Sequence, residues 1–304
     1  MAEKLTKKEN SQNASKTRLN MIDLHTHTCY SDGTYSPAEL IDEAERMGLS
    51  AIALCDHNTV RGLDEFLAAA QGRNLEAVPG IEFSTDYVIS DGKTIELHLL
   101  ALFVRPEHHK AINALVAQMA ENKQKSNRAL IKELQRLGYD ITYDEVCAES
   151  GDNGNVNRAH VAAVMTRKGY TPSIQEAFSM LLNPESGLYH PPARLPIFET
   201  IEFIRSIGAV PVLAHPFLKL DEVGLRAFLE QAIPCGLVGM ETLYSTYDEE
   251  TTALSRAIAH EYGLCESGGS DFHGSRKPDI SLGVGKGNLA VPYEFLTRLK
   301  TFAK

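Results

Sequence analysis

The chain has 304 residues, with 30 basic against 40 acidic side chains and a formal charge of −10. Hydrophobic residues at 43% and charged residues at 23% exclude a disordered or fibrous chain. The acidic balance also argues against a protein that coats duplex nucleic acid through its net field, while leaving room for a nucleotide held by local arginines.

Residues 1–20 are polar with scattered basic side chains, lack the apolar core of a secretory signal, and read as a flexible tail. No apolar run approaches the ~20 residues that span a bilayer. Five scattered cysteines without a CxxC pair suit free thiols in a reduced, cytoplasmic protein. Strand-like runs are predicted at 21–25, 51–55, 76–81, 95–104, 210–214, 237–241 and 264–267. A helix is predicted over 36–48, with Pro37 at the first helical position, acidic residues in the first turn and Gly48 at the end; a second covers about 61–71. Strands separated by amphipathic helices imply βα units and a mostly parallel sheet. The exception is a hairpin, 82–89 and 94–104, turning at Ser90-Asp91-Gly92-Lys93.

From 105 to 195 the strand-like runs stop. Helical periodicity runs over 108–137 through Ile112, Leu115, Val116 and Met119, then Leu130, Ile131, Leu134 and Leu137, with Gly138 as the stop. Further helices are predicted at 142–149, 157–168 and 173–182. The expected organisation is a tail at 1–20, an α/β body at 21–104 and 196–304, and a helical insertion at 105–195 acting as a lid or substrate domain.

The chemistry is concentrated at strand ends. In Asp23-Leu24-His25-Thr26-His27, two histidines two apart point to one face of a strand and can share an ion. Asp32-Gly33 follows as a turn able to return a carboxylate to the same place. The second strand ends in Cys55-Asp56-His57-Asn58, the third in Gly80-Ile81-Glu82, and the fourth contains Glu96-Leu97-His98. Leu213-Ala214-His215-Pro216 closes the fifth, and Gly268-Gly269-Ser270-Asp271-Phe272-His273-Gly274 follows the seventh. Six of the 11 histidines thus lie in or just after predicted strands, where barrel and open-sheet enzymes place their sites. Imidazole and carboxylate without sulfur suit Zn, Mn or Fe(II). The nine candidates His25, His27, Asp32, His57, Glu82, His98, His215, Asp271 and His273 exceed the needs of one ion, and two or three divalent ions sharing carboxylates would use them all.

These motifs, HTH at 25–27, SDG at 31–33, CDHN at 55–58, GIE at 80–82, HLL at 98–100, AHP at 214–216 and GSDFHG at 269–274, resemble those of the PHP (polymerase and histidinol phosphatase) superfamily of metallophosphoesterases, in family order. The resemblance implies a distorted (β/α)7 barrel with a trinuclear site at the carboxyl ends of its strands. By motif, His25, His27, Glu82 and Asp271 resemble the ligands of a first metal. Glu82 would bridge to a second held by His98 and His215, and Asp32, His57 and His273 would hold a third. Some members carry histidine where this chain has Asp32.

The helical insertion is similar to that of the TrpH and YciV type of nucleotide phosphatases. That likeness implies hydrolysis of a nucleoside 5′-monophosphate such as AMP, of the 3′-phosphate of a 3′,5′-bisphosphonucleotide, or of short RNA 5′ ends, with a metal-bridging hydroxide as nucleophile. Asn127-Arg128 and Asn157-Arg158-Ala159-His160 look like that subgroup's phosphate-binding positions. Arg128, Arg158 and Asn157 are therefore candidate substrate contacts, since guanidinium binds phosphate in bidentate fashion. Asp56 is a candidate for orienting a ligand imidazole or acting as an acid, and His160 for protonating the leaving oxygen. Tyr244 and Tyr247 could stack on a base, whereas His108, His109, His190 and His260 read as surface or linker residues and Cys29 and Cys55 as packing. The competing functions are a 5′→3′ exoribonuclease, a histidinol-phosphate-type phosphatase and a metal-binding module without turnover. A small phosphorylated partner is expected, with no duplex nucleic acid and no membrane; the oligomeric state is left open.

Overall fold

The computed structural model describes residues 21–150 and 156–304, so the tail expected at 1–20 lies outside the described residues. Two compact units emerge. One comprises the chain up to Asn113 together with Leu195–Lys304, the other Ala114–Arg194.

The first unit is built on a nearly closed, barrel-shaped sheet. Strand β1 (Met21–Thr26) leads into α1 (Pro37–Met47) and then β2 (Ala51–Leu54), parallel to β1 with Ile22 opposite Ala51. Helix α1 starts where the sequence places it. Ser36 accepts from the Glu39 N–H, Glu39 reaches back to the Ser36 N–H, Pro37 opens the first turn, and Gly48 ends the helix at φ 73°. Helix α2 (Leu63–Ala70) precedes β3 (Glu76–Val88). The sequence divides β3 into a strand and a hairpin arm, but the structure joins them in one strand of 13 residues. Glu76 to Pro79 pair with β2, and Gly80 to Val88 pair antiparallel with β4 (Thr94–Leu102). The handover falls at Gly80, where a Cβ would lie 3.0 Å from Cys55 Sγ and 3.1 Å from the Leu54 and Ala101 carbonyl oxygens.

The two-residue strand β5 (Leu195–Pro196) pairs with β3, and α7 (Ile197–Ser206; α3–α6 are described below) leads to β6 (Val210–Ala214), antiparallel to β4. Helix α8 (Glu222–Ala232), β7 (Gly239–Tyr244), α9 (Glu249–Glu261) and β8 (Cys265–Gly269) extend the sheet in parallel. A short β9 (Val291–Pro292) lies antiparallel on β1, followed by α10 (Tyr293–Lys300). The ring nearly closes just beyond β8, where the His27 N–H donates to the Phe272 carbonyl at 2.9 Å and the Asp271 N–H to the His25 carbonyl at 2.8 Å. The core includes Ile22, Leu24, Ala53, Val78, Leu100, Val212, Phe295 and Leu299. Because both faces of the inner strands are covered, they read as continuous apolar runs in which a buried charge stands out.

The second unit is helical. It contains α3 (His109–Arg136) from Ala114 onward, α4 (Tyr143–Ser150), α5 (Arg158–Arg167) and α6 (Ile174–Ala177). The helix predicted over 173–182 is a short α-turn running into a π-turn, Phe178–Leu182, closed by the Asn183 amide on the Phe178 and Ser179 carbonyls. Leu130, Ile131 and Leu134 pack with Val146, Val161, Met165 and Leu182 in its core. No helix among the described residues is long and apolar enough to cross a membrane.

Near-closure of the sheet depends on Gly269, where an added Cβ would fall 2.4 Å from His25 Cβ and 2.5 Å from the His25 nitrogen. Gly269→Ala should therefore push β8 away from β1 and cost about 1–3 kcal/mol by overpacking. Urea unfolding would show a lower midpoint, and an unchanged midpoint would contradict this account of near-closure.

Candidate metal centre

The carboxyl end of the barrel gathers all nine candidate ligands. His25 and His27 come from β1 and its exit, His57 from the turn after β2, Glu82 from β3, His98 from β4, His215 from the end of β6, and Asp271 and His273 from the turn after β8. Asp32 reaches in from the loop after β1. The chain is bent sharply at three of these turns. Asn58, His215 and Asp271 have φ of 53°, 30° and 56°, in the left-handed region that L side chains avoid. Such strain persists where the surroundings over-determine it, and it clusters at functional sites.

Glu82 lies at the centre and is fully buried. Its Oε2 is 3.3 Å from His25 Nε2, 3.3 Å from His27 Nε2 and 2.9 Å from His57 Nδ1. Its Oε1 is 2.8 Å from His98 Nδ1 and 3.2 Å from His215 Nε2. Asp271 Oδ1 lies 3.2 Å from His27 Nε2 and 3.7 Å from His25 Nε2, and Asp32 Oδ1 is 3.2 Å from His273 Nε2. A cleft of about 310 Å³ opens over this cluster, and its walls include Lys219 and Lys277.

The electrostatics follow from burial among opposite charges. Burial opposes ionisation of Glu82, but His57, His98 and His25 outweigh it and hold the carboxyl well below its usual range. Asp271 is depressed in the same way, with His25 and His27 overcoming its burial. Burial, reinforced by the neighbouring His57, drives His27 down to about 3. His98 rises to about 10 because Glu82 and Glu96 outweigh its desolvation.

The donor set can be tested against a cation. His25 Nε2, both ring nitrogens of His27, His57 Nδ1 and Glu82 Oε2 are buried and make no hydrogen bond, the 2.9 Å approach of His57 to Glu82 included. Leaving several buried polar atoms unsatisfied in one place is costly, and divalent cations would satisfy them together. Nitrogen and oxygen donors fit such ions. Four groups have ligand atoms lying within 4.8 Å of one another: His27, Asp32, His57 and His273; His25, His27 and Asp271; His25, Glu82 and His215; and His57, Glu82 and His98. These groups overlap, and His98 and His215 also meet at Glu82 Oε1, at 2.8 and 3.2 Å, the pair that the motifs assign to one metal.

Other candidates have different places. Asp56 touches no site imidazole. Its Oδ1 accepts from the Thr28 N–H at 2.8 Å and Ser31 Oγ at 2.6 Å, and its Oδ2 from Thr28 Oγ1 at 2.5 Å, so it fixes the loop leading to Asp32. Tyr244 and Tyr247 are largely buried, and Tyr244 lines the cleft. Tyr244 donates to Asp271 Oδ2 at 2.7 Å, while Tyr247 Oη accepts from the Phe217 N–H at 3.0 Å. In the helical unit, Asn157 caps α5 and His160 Nδ1 accepts the Asn157 N–H at 3.2 Å. Arg158 donates to the Leu182 carbonyl and lies 4.1 Å from the Tyr189 ring centre, and Arg128 lies 3.8 Å from that of Tyr143.

Sequence reasoning passed over Glu241, Glu96 and Lys277. Glu241 Oε1 is 2.9 Å from His25 Nδ1, Glu96 Oε1 is 3.3 Å from His98 Nε2, and Lys277 Nζ is 2.6 Å from Asp271 Oδ2. The signal for Glu241 was a carboxylate inside an otherwise uncharged strand, which demands a partner.

The PHP domain model matches residues 23–183. The chain belongs to the PHP domain family. A 5′-3′ exoribonuclease of Haemophilus influenzae is 30% identical over 253 residues, covering 83% of this chain and 89% of that protein. A 3′,5′-nucleoside bisphosphate phosphatase of Chromobacterium violaceum is 27% identical over 256 residues, covering 83% and 87%. A solved structure from Bifidobacterium adolescentis, provisionally described as a metal-dependent phosphoesterase, superposes with a TM-score of 0.72 at 26% identity and covers 93% of this chain and 96% of its own. This PHP protein is a metal-dependent phosphoesterase, a hydrolase whose sheet is the distorted barrel of that family.

The geometry distinguishes a shared ligand from a peripheral one. Glu82 belongs to two of the four groups, whereas Asp32, with a side chain 45% exposed, belongs to one. Glu82→Gln should lower the metal content by more than one ion's worth, and Asp32→Asn by one at most. Elemental analysis of the purified variants checks this; equal losses would contradict a central role for Glu82.

Proposed function

We propose that this PHP phosphoesterase removes phosphate from a small nucleotide, either a nucleoside 5′-monophosphate such as AMP or a 3′,5′-bisphosphonucleotide. The carrying observation is the cleft of about 310 Å³ whose floor is the imidazole and carboxylate cluster and whose walls bring Lys219 and Lys277 to the same opening. Two to three divalent ions, Mn, Fe or Zn, would be held by His25, His27, Asp32, His57, Glu82, His98, His215, Asp271 and His273. Such ions supply a Lewis acid for the phosphoryl oxygens and lower the pKa of water toward neutrality.

The protein's own groups do the rest. Glu82 and Asp271, fixed as anions by the surrounding imidazoles, give the floor of the cleft its charge. Asp271 keeps Oδ1 toward His25 and His27 because Tyr244 and Lys277 occupy Oδ2. Asp56 serves by anchoring the loop that carries Asp32 rather than as an acid, since both its oxygens already accept hydrogen bonds. Lys219 and Lys277 offset part of the charge that an anionic substrate brings. Phosphate contacts by Arg128, Arg158 and Asn157, and proton donation by His160, rest on their chemistry and motif positions. The helical unit is assigned the substrate role on the same ground.

A second reading is a 5′→3′ exoribonuclease, favoured by the 30% identity to the H. influenzae enzyme. Substrate profiling with manganese-loaded protein separates the two. Inorganic phosphate released from AMP or a bisphosphonucleotide supports the phosphatase, and mononucleotides released from short RNA support the exoribonuclease. Hydrolysis of neither would leave a metal-binding module. Within the phosphatase reading, Arg158→Ala should lower kcat/KM about tenfold or more, as loss of a charge-assisted phosphate contact of ~1.5–3 kcal/mol implies, without lowering metal content. An unchanged kcat/KM would remove Arg158 from the site.

A further inference from the structure

We infer that Glu241, outside the nine candidate ligands, is a positioning residue that sets two of them, His25 and His215, against the two oxygens of Glu82. The inference rests on the metal reading of the cleft and extends it. Glu241 sits within β7 and is fully buried. Its Oε2 accepts the His215 backbone N–H at 2.7 Å, and its Oε1 lies 2.9 Å from His25 Nδ1. One carboxylate therefore ties the end of β6 to the carboxyl end of β1.

The two contacts have different consequences. At His215 the chain adopts φ 30°, a left-handed turn without glycine. The bond to its N–H holds that turn, which directs Nε2 to within 3.2 Å of Glu82 Oε1. At His25 the contact selects a tautomer. With the proton on Nδ1 and shared with Glu241, Nε2 presents its lone pair toward Glu82 Oε2 at 3.3 Å and Asp271 Oδ1 at 3.7 Å. Three acceptors then face one another, an arrangement that a cation relieves. A carboxylate hydrogen-bonded to the far nitrogen of a ligating imidazole fixes its orientation and raises its basicity. Ligand atoms of His25, Glu82 and His215 lie within 4.8 Å of one another, so Glu241 governs both histidines of one group.

The geometry also explains why the residue must be a carboxylate. A backbone N–H only donates, so the atom facing His215 must accept. Glutamine at this position would place its carbonyl oxygen there and its NH₂ against His25 Nδ1. Nδ1 would then have to accept, its proton would move to Nε2, and the lone pair aimed at the cation would be lost. Glu241→Gln keeps the shape and the number of hydrogen bonds and reverses only the tautomer.

Nitrogen-15 NMR of histidine-labelled, zinc-loaded protein reads this directly, with the His25 signals assigned by their disappearance in His25→Ala. The expected result is a proton on Nδ1 and zinc on Nε2 of His25. A proton on Nε2 in the wild-type protein would overturn the inference, and this measurement needs no Glu241 variant to fold. In parallel, competition against a zinc chelator should show one site weakened about 10–100-fold in Glu241→Gln, with an unchanged circular dichroism spectrum. Loss of zinc affinity in His25→Ala with full affinity in Glu241→Gln would overturn the role of Glu241 alone. Full zinc affinity in His25→Ala would overturn the metal reading beneath it.

Discussion

A fully buried carboxylate within 3.3 Å of five imidazole nitrogens is the constraint on which the first unit depends. An isolated charge in a dry interior is prohibitively expensive unless it is paired. Glu82 can therefore remain ionised only because β1, the turn after β2, β4 and the end of β6 each deliver a histidine to it. The barrel form makes this possible, since neighbouring strand ends converge on one opening. The same convergence leaves ring nitrogens and a carboxylate oxygen without hydrogen-bond partners, the condition that cations relieve.

Around this centre stands a frame of buried acids that tie loops and strand ends together. Asp23 accepts from the Ser270 N–H, Ser270 Oγ and the Gly283 N–H, tying β1 to the turn that carries Asp271 and His273. Asp56 does the same for the loop carrying Asp32, and Glu241 for His25 and His215. Strain at Asn58, His215 and Asp271 is tolerated because these bonds and the sheet ladder determine the turns from both sides. The acidic excess of the chain thus has two local uses, as candidate ligands and as struts. A cleft filled with divalent ions can attract an anion although the whole protein is negative.

Much of this was legible in the sequence. Apolar runs ending in His, Asp or Glu located the strands and their functional ends, and Ser36, Pro37 and Gly48 fixed the first helix. What remained hidden depends on three-dimensional neighbours. Periodicity could not show that Glu76–Val88 is one strand changing partners at Gly80. Motif order could not show that His98 meets both His57 and His215, because this depends on β4 running antiparallel between β3 and β6 with His98 opposite Ala214. Asp56 read as a partner of an imidazole because it precedes one, whereas strand geometry turns it toward Thr28 and Ser31. Tyr244 read as a stacking surface, and only the structure shows that its hydroxyl serves Asp271.

The central claim is that Glu82 is shared by cations at the carboxyl end of the barrel. Anomalous diffraction from manganese- or zinc-loaded crystals tests it most directly. The account predicts at least two anomalous peaks in the cleft, with both Glu82 oxygens at coordinating distance and the imidazoles of His25, His57, His98 and His215 among the neighbouring ligands. A cleft without peaks, or a single ion that leaves Glu82 bonded only to histidines, would contradict it.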